Sequence, residues 1–148
     1  MLKTKVLFLC THNSARSQIA EGFLRELAGD RYDPYSAGLE ATTVHPLAIA
    51  AMSERGIDIS GQSSKDLHEY LGREHFGVLI TVCSQAEEQC PIFPGVAARE
   101  HWPFDDPALA AGSDEERLAK FCEVRDAIEA RLKEWIRQRD EEPASITQ

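Results

Sequence analysis

A thiol and a guanidinium stand at the two ends of a short polar loop, at Cys10 and Arg16. The backbone N–H groups of such a loop, together with the N-terminus of a following helix, can surround the oxygens of a tetrahedral oxyanion. Arg16 adds a two-pronged, permanently charged clamp, and the same positive field favours the thiolate form of Cys10. The spacing therefore predicts an anion-binding loop with a cysteine nucleophile.

Two other loop residues have side chains suited to supporting this chemistry. Asn13 tolerates a left-handed backbone angle that would aim the loop amides inward, and the Ser17 hydroxyl can donate to the Cys10 sulfur. The alternative is that Cys10 is only a buried cysteine at the end of a core strand. The polar loop and the amphipathic helix after it favour catalysis. The predicted anion-binding residues are Thr11, His12, Asn13, Ser14, Ala15, Arg16 and Ser17.

The loop differs from the two common nucleotide-binding loops. It lacks the Gly-Lys-Ser/Thr ending that binds nucleotide phosphates and magnesium. It also lacks the three glycines that let a dinucleotide approach the backbone closely. Nucleotide chemistry is therefore disfavoured.

The elements on either side must position this loop. A buried strand is predicted over 5–9 before it, and an amphipathic helix over 17–28 after it. Further strands are predicted over 32–37, 77–82 and 99–104, and further helices over 46–55 and along the apolar stripe from Leu118 to Ile136. This alternation predicts a single-domain, three-layer α/β/α fold around a four-stranded parallel sheet.

A second cysteine, Cys83, also follows a predicted strand directly. In an open α/β sheet, ligands bind at the carboxyl ends of the strands. If the strands before Cys10 and Cys83 are neighbours, about 4.8 Å apart, the two sulfurs come within bonding reach after a modest loop movement. The sequence therefore places two thiols beside one pocket.

Composition restricts the domain count and the partners. The 148 residues, 43% hydrophobic and 28% charged, fit one domain over 1–138, followed by a charged and polar tail over 139–148 that we expect to be flexible. A net charge of −9 would repel a polyanion, so nucleic acid is not expected as a partner.

The cysteines must be interpreted together with the compartment. No segment approaches the roughly 18 apolar residues of a membrane span, and the apolar run near the N-terminus is too short for a secretory signal. A cytoplasmic protein without membrane contact is expected, in which a disulfide is usually transient and catalytic. The four cysteines lack the paired spacing of a zinc site, and no metal is expected.

Several motifs, in order, resemble the thioredoxin-coupled arsenate reductases of the low-molecular-weight tyrosine phosphatase superfamily. The resemblance runs from Lys5 to about Leu132. The motifs are Asn13-Ser-Ala-Arg-Ser17, Tyr35-Ser-Ala-Gly38, Gly56-Ile-Asp-Ile-Ser60, Thr81-Val-Cys83, Glu87-Glu-Gln-Cys90-Pro91 and Glu100-His-Trp-Pro-Phe-Asp-Asp-Pro-Ala108.

The resemblance implies reduction of arsenate to arsenite, for arsenic detoxification, by a relay of three cysteines. Cys10 attacks arsenate, Cys83 then attacks Cys10 to release arsenite, and Cys90 attacks Cys83 to leave a disulfide that thioredoxin reduces. Asp106, before Pro107, matches the acid that protonates the leaving oxygen, with Asp105 as the less certain neighbour. Phosphate and sulfate fit the same loop. A monomer is expected, with thioredoxin as external reductant and no bound cofactor.

Some related reductases bind potassium behind the loop. The matching residues are Asn13, Glu21, Ser36 and Ser63, but Lys65 stands where those relatives carry an acidic side chain. A lysine ammonium can replace a monovalent cation, so no potassium requirement is expected.

The spacing of Cys83 and Cys90 carries a geometric consequence of its own. Seven residues of intact helix span about 10.5 Å, whereas the α-carbons of a disulfide lie within roughly 7 Å. A helix between Cys83 and Cys90 must therefore partly unwind on oxidation. Cys122, on the apolar stripe of the last helix, is predicted to be a bystander that only packs.

Two alternatives remain open from the sequence. The nearer is a low-molecular-weight protein tyrosine phosphatase, which shares Cys10, Arg16 and Asp106 but does not need Cys83 or Cys90. The other is a noncatalytic redox sensor or oxyanion-binding module, for which the acid at Asp106 would have no use. His12, His45 and His101 are needed by none of these functions.

Overall fold

The computed structural model describes residues 3–90 and 95–141, in which strands and helices alternate. The strands are β1 (Thr4–Cys10), β2 (Tyr32–Gly38), β3 (Val78–Thr81) and β4 (Ala98–His101). The helices are α1 (Arg16–Ala28), α2 (Pro46–Ser53), α3 (Ser84–Gln89) and α4 (Asp114–Glu141). Short 3₁₀ helices are formed by Leu67–Glu69 and Pro107–Leu109.

The four strands form one parallel sheet in the order β2-β1-β3-β4. The central strand β1 pairs with both neighbours, so that Leu9 lies opposite Thr81 and Cys10 lies opposite Gly38. The predicted four-stranded parallel sheet is confirmed. Its register brings the ends of β1 and β3 side by side, as the two-thiol prediction required.

Both faces of the sheet are covered, which confirms the three-layer arrangement. Tyr32 and Tyr35 lie three residues apart on β2 and so point to opposite faces. Tyr32 packs against Trp135 of α4, with ring centroids 5.1 Å apart. Tyr35 packs against Tyr70 and Phe76 at 5.4 and 5.2 Å. Helix α1 packs on β1, β2 and α4, while α3 lies over β1 and β3.

Strand β1 has a continuous apolar run because it is buried on both faces. Its residues Val6, Leu7, Phe8 and Leu9 have no exposed surface, and Cys10 at its end is 2% exposed. Full burial of such a side chain contributes about 1.5–3 kcal/mol. The strand therefore gives Cys10 a rigid support.

Three predicted element ends differ from the structure by two residues or more. Strand β4 ends at His101 rather than at 104, although Trp102 and Phe104 still donate to the carbonyl oxygens of Thr81 and Val82 at 2.8 and 3.3 Å. Helix α2 ends at Ser53, shortly before Gly56 with its φ of 73°. Helix α4 continues to Glu141, so the predicted tail is helical over 139–141, and 142–148 lie outside the described residues.

Within the two described ranges, no helix has the length and apolar character needed to cross a bilayer.

Candidate active site

The loop between β1 and α1 contains a left-handed residue where the sequence predicted one. Asn13 has a φ of 51°, which a small polar side chain tolerates better than most. Its side chain is fully buried. The carbonyl oxygen Oδ1 accepts from the backbone N–H of Lys65 at 2.7 Å and from Gln18 Nε2 at 2.9 Å. The loop conformation is therefore fixed by hydrogen bonds to Asn13, one of which comes from Lys65, far along the chain.

These contacts determine the direction of the hydrogen bond at Cys10. Because Asn13 Oδ1 accepts from a backbone N–H, its Nδ2 must face Ser17 Oγ, at 2.8 Å. Ser17 Oγ accepts that bond, so its own hydrogen is available for Cys10 Sγ, 2.9 Å away. The predicted contact between Ser17 and Cys10 is present, and Ser17 is placed to donate to the sulfur.

Above Cys10 the loop encloses a small cavity of about 110 Å³. Arg16 is 8% exposed, and its guanidinium donates to the carbonyl oxygen of Phe104 at 3.2 Å. Its other Nη lies 3.4 Å from Asp106 Oδ2. The lining residues are Cys10, His12, Ser14, Ala15, Arg16, Thr42, Asp106 and Ala108. A thiol, a guanidinium and a carboxyl group therefore meet around one volume.

The structure distinguishes the two adjacent aspartates of the Asp-Asp-Pro segment. Asp106 lines the cavity, its side chain is 26% exposed, and its Oδ1 accepts from the N–H of Ala108 at 3.0 Å. The Asp105 side chain is 75% exposed and pairs with Lys120 at 3.0 Å. Of the two carboxyl groups, Asp106 is therefore the one that lies at the cavity.

Cys83 lies at the end of the neighbouring strand β3, but it does not itself line the cavity. Its sulfur is 3.2 Å from the hydroxyl of Thr11, the residue that follows Cys10. It also caps α3, accepting from the N–H of Ala86 at 3.4 Å. The thiol is 5% exposed. Cys10 and Cys83 therefore follow neighbouring strands at the same end of the sheet, and Thr11, next to Cys10, contacts Cys83.

Cys90 is not brought to the other two thiols. Helix α3 lies between Cys83 at its start and Cys90 at its end, so the predicted helical separation is present. Cys90 is half-buried, and this burial raises the pKa of its thiol, against the lowering effect of the Arg99 charge. Cys10, Cys83, Cys90 and Cys122 are all reduced.

Several supporting residues were not predicted from the sequence. Gln18 is fully buried and donates to the backbone oxygens of Asn13 and Ser63 at 3.0 and 2.8 Å. Gln62 in turn donates to Gln18 Oε1 at 2.7 Å. Thr42 lines the cavity and donates to the carbonyl of His12 at 3.3 Å. Glutamine and threonine carry no chemical signature, and only the fold reveals these contacts.

Gly38 allows the loop to lie directly against β2. A β-carbon there would stand 2.6 Å from the nitrogen of Asn13, 2.8 Å from the carbonyl carbon of His12 and 2.9 Å from the oxygen of Thr11. All three are backbone atoms, so a side chain can be accommodated only by moving the loop.

We expect Gly38→Ala to displace the loop and to destabilise the fold by about 1–3 kcal/mol. Thermal unfolding and binding of inorganic phosphate would measure the two effects. Gly61→Ala is a matched control, because nothing lies within 4 Å of its added β-carbon. A Gly38→Ala protein as stable as the Gly61→Ala protein, with equal affinity for phosphate, would contradict the role assigned to Gly38.

Comparison with known proteins agrees with this fold and site. Residues 5–145 match the family described as low molecular weight phosphotyrosine protein phosphatase. The chain belongs to this family, as predicted from the sequence.

Relatives within the family carry the name of a particular enzyme. A protein named arsenate reductase from Shouchella clausii is 48% identical over 136 residues, covering 91% of this chain and 96% of that one. A protein of the same name from Bacillus subtilis is 48% identical over 130 residues, covering 88% and 93%.

Two solved structures are similar in the same way. One, described as an arsenate reductase in the phosphate binding state, is 36% identical with a TM-score of 0.78, covering 91% of this chain and 98% of that chain. The other, described as a thioredoxin-dependent arsenate reductase of Corynebacterium glutamicum, is 32% identical with a TM-score of 0.70. It covers 92% of this chain and 61% of that chain.

Proposed function

We propose that the protein is an arsenate reductase in which Cys10, Cys83 and Cys90 pass the oxidation outward to thioredoxin. One observation carries the proposal: Cys10, which lines the cavity with Arg16 and Asp106, is followed directly by Thr11, whose hydroxyl lies 3.2 Å from the thiol of Cys83. The relatives named arsenate reductase support the substrate, and the thioredoxin-dependent relative supports the reductant.

In the first step, the Cys10 thiolate forms a bond to the arsenic atom of arsenate. Arg16 and the loop amides bind the oxyanion, while the hydrogen bond from Ser17 orients the sulfur. The bond from arsenic to the hydroxyl group of arsenate breaks, and Asp106 gives its proton to this hydroxyl so that it departs as water. The product is an arsenic(V) thioester-like adduct on Cys10.

In the second step, the Cys83 thiolate attacks the sulfur of Cys10. A Cys10–Cys83 disulfide forms while the S–As bond breaks, and its electron pair remains on arsenic. Arsenic(V) becomes arsenic(III) and leaves as arsenite. The register that places the end of β1 beside the end of β3 makes this transfer short.

In the third step, Cys90 attacks Cys83 and returns Cys10 to the thiolate. The resulting Cys83–Cys90 disulfide is reduced by the dithiol of thioredoxin, which is itself oxidised. Since α3 separates the two cysteines, about 10.5 Å apart along its axis, it must partly unwind in this step. The three cysteines of the relay belong to one chain together with Arg16 and Asp106, so a monomer suffices.

The phosphatase alternative shares Cys10, Arg16 and Asp106, and the name of the family favours it. The walls of the cavity favour the reductase. Besides the groups that would act on the anion, the described lining consists of small residues and His12, with no Phe, Tyr or Trp to hold a tyrosine ring. A redox sensor would not need Asp106 beside Arg16.

Two assays on the purified protein separate these functions. One measures arsenite release from arsenate with thioredoxin, thioredoxin reductase and NADPH. The other measures hydrolysis of an aryl phosphate without reductant. We expect sustained arsenite release and only weak hydrolysis. Efficient hydrolysis without arsenite would support the phosphatase, whereas disulfide formation that is independent of arsenate and releases no arsenite would support the sensor.

The proposed role of Lys65 rests on its position behind the loop. Its ammonium donates to the carbonyl of Ser63 and lies 4.0 Å from Glu21 Oε1, which also accepts from Ser36. Burial lowers the pKa of Lys65, and the negative charge of Glu21 acts against this. We propose that this ammonium takes the place of a potassium ion.

We expect arsenite release to be equal, within about two-fold, in potassium and sodium chloride at one ionic strength, because Lys65 already supplies the charge. The variant Lys65→Asp restores the acidic group of the potassium-binding relatives and should make the rate depend on potassium. Activation of the unaltered protein by potassium alone would contradict this role.

A further inference from the structure

A cluster of polar side chains ties α3 to the end of the sheet. On α3, Glu87 Oε1 accepts from Arg99 Nη2 at 3.0 Å, and the same Nη2 lies 3.4 Å from the carbonyl oxygen of Glu87. Arg99 belongs to the edge strand β4. The guanidinium therefore holds both the side chain and the backbone of one turn of the helix.

A second contact reaches Glu87 from β3. Thr81 is fully buried, and its hydroxyl donates to Glu87 Oε1 at 2.9 Å. Since this hydrogen is used for the carboxylate, His101 must donate from Nδ1 to Thr81 Oγ1, also at 2.9 Å. The hydrogen bond from Thr81, followed by Arg99, lowers the pKa of Glu87 and keeps it an anionic acceptor.

The same guanidinium lies beside Cys90. The charge of Arg99 acts on the Cys90 thiol, where it lowers the pKa against the larger effect of burial. Arg99 therefore contacts the middle of α3, at Glu87, and its end, at Cys90. Glu87 lies between Cys83, where α3 begins, and Cys90, whose thiol must move to reach Cys83.

The Cys83–Cys90 disulfide cannot form while all of these contacts remain in place. Cys83 follows β3 directly, and Val82 still donates to Leu9 of β1 at 2.9 Å, so this end of α3 is anchored to the sheet. Arg99 is held in the ladder opposite Leu79. The Cys90 end must therefore approach Cys83, and Glu87 cannot follow that movement while it remains bound to Arg99.

We infer that Glu87 and Arg99, supported by Thr81 and His101, form a latch that keeps α3 closed in the reduced protein and limits the rate at which Cys90 attacks Cys83. The inference rests on the proposed relay. Glu87 is a positioning residue, since it touches no reacting atom, whereas Arg99 also lies beside the reacting thiol of Cys90. While the latch is closed, Cys90 is held away from the Cys10–Cys83 disulfide that it must attack.

The test is Glu87→Gln, which keeps the size and helix propensity of the side chain and leaves Arg99 beside Cys90. Its matched control is Glu88→Gln on the exposed side of the same helix. Amide exchange over 84–90 in the reduced protein reports opening without any reaction. The rate of Cys83–Cys90 disulfide formation, after one equivalent of arsenate, is followed by rapid quench and thiol alkylation.

Glu87→Gln should raise both the exchange and the rate of disulfide formation about three- to ten-fold, while Glu88→Gln matches the unaltered protein. Arg99→Gln should raise the exchange in the same way, and Arg99→Lys should restore it, which covers the case that Glu87→Gln fails to fold. Unchanged exchange in Glu87→Gln and Arg99→Gln, or faster exchange with an unchanged rate of disulfide formation, would overturn the latch.

Failure of the relay would be seen separately. In that case the unaltered protein itself would form no Cys83–Cys90 disulfide on adding arsenate. The exchange measurement would still report whether the latch holds α3.

Discussion

Replacing Cys10 with serine should abolish arsenite release and any hydrolysis of an aryl phosphate, with a loss on the order of 10⁶-fold. Both reactions begin with a bond from the Cys10 sulfur to the anion, and a serine hydroxyl stays protonated where a thiol ionises. Arsenite release coupled to NADPH oxidation through thioredoxin measures the first reaction.

Cys122→Ser is the matched control for this substitution. Cys122 lies on α4, where its thiol is near Glu54 at 3.5 Å and Arg125 at 3.4 Å, away from the cavity lining. Its activity should stay close to that of the unaltered protein, as predicted for a bystander. A Cys10→Ser protein that retains a tenth of the activity would show that the reaction begins elsewhere.

Asp106→Asn should slow arsenite release about 100- to 10,000-fold, the usual contribution of a placed acid. Without its proton the leaving oxygen must depart as hydroxide or oxide, next to an oxyanion. The amide can still accept the hydrogen bond that Ala108 donates to this side chain, so the turn should persist. Phosphate affinity should therefore change far less than the turnover rate.

The neighbouring aspartate supplies the control. Asp105→Asn removes a charge from the same segment but from a side chain that is 75% exposed and paired with Lys120. We expect near-normal turnover from it. Equal losses in the Asp105 and Asp106 variants would indicate that the charge of the segment matters rather than a proton donor at the cavity.

The main elements of the fold could be predicted because their signals are local. The apolar run of β1, the amphipathic stripe of α1 and the alternation of strand and helix each depend on neighbouring residues. The polar loop with Asn13 in a left-handed conformation and Ser17 next to the Cys10 sulfur also followed from residue type and spacing.

The remaining features depend on contacts between distant parts of the chain. The approach of Thr11 to Cys83 requires the register of β1 against β3, which no local pattern specifies. Gln18 and Gln62 support the loop only because the segment before Lys65 folds back beneath it. His101 was expected to have no role in the chemistry, and its contact with Thr81 depends on the pairing of β3 with β4.

The relay is tested most directly by arsenite release from the Cys83→Ser and Cys90→Ser proteins with thioredoxin and NADPH. The account predicts that neither turns over repeatedly. Cys83→Ser should release no arsenite, since nothing attacks Cys10, whereas Cys90→Ser should release at most one equivalent and stop with a Cys10–Cys83 disulfide. Sustained thioredoxin-dependent turnover by either variant would contradict the relay of three cysteines.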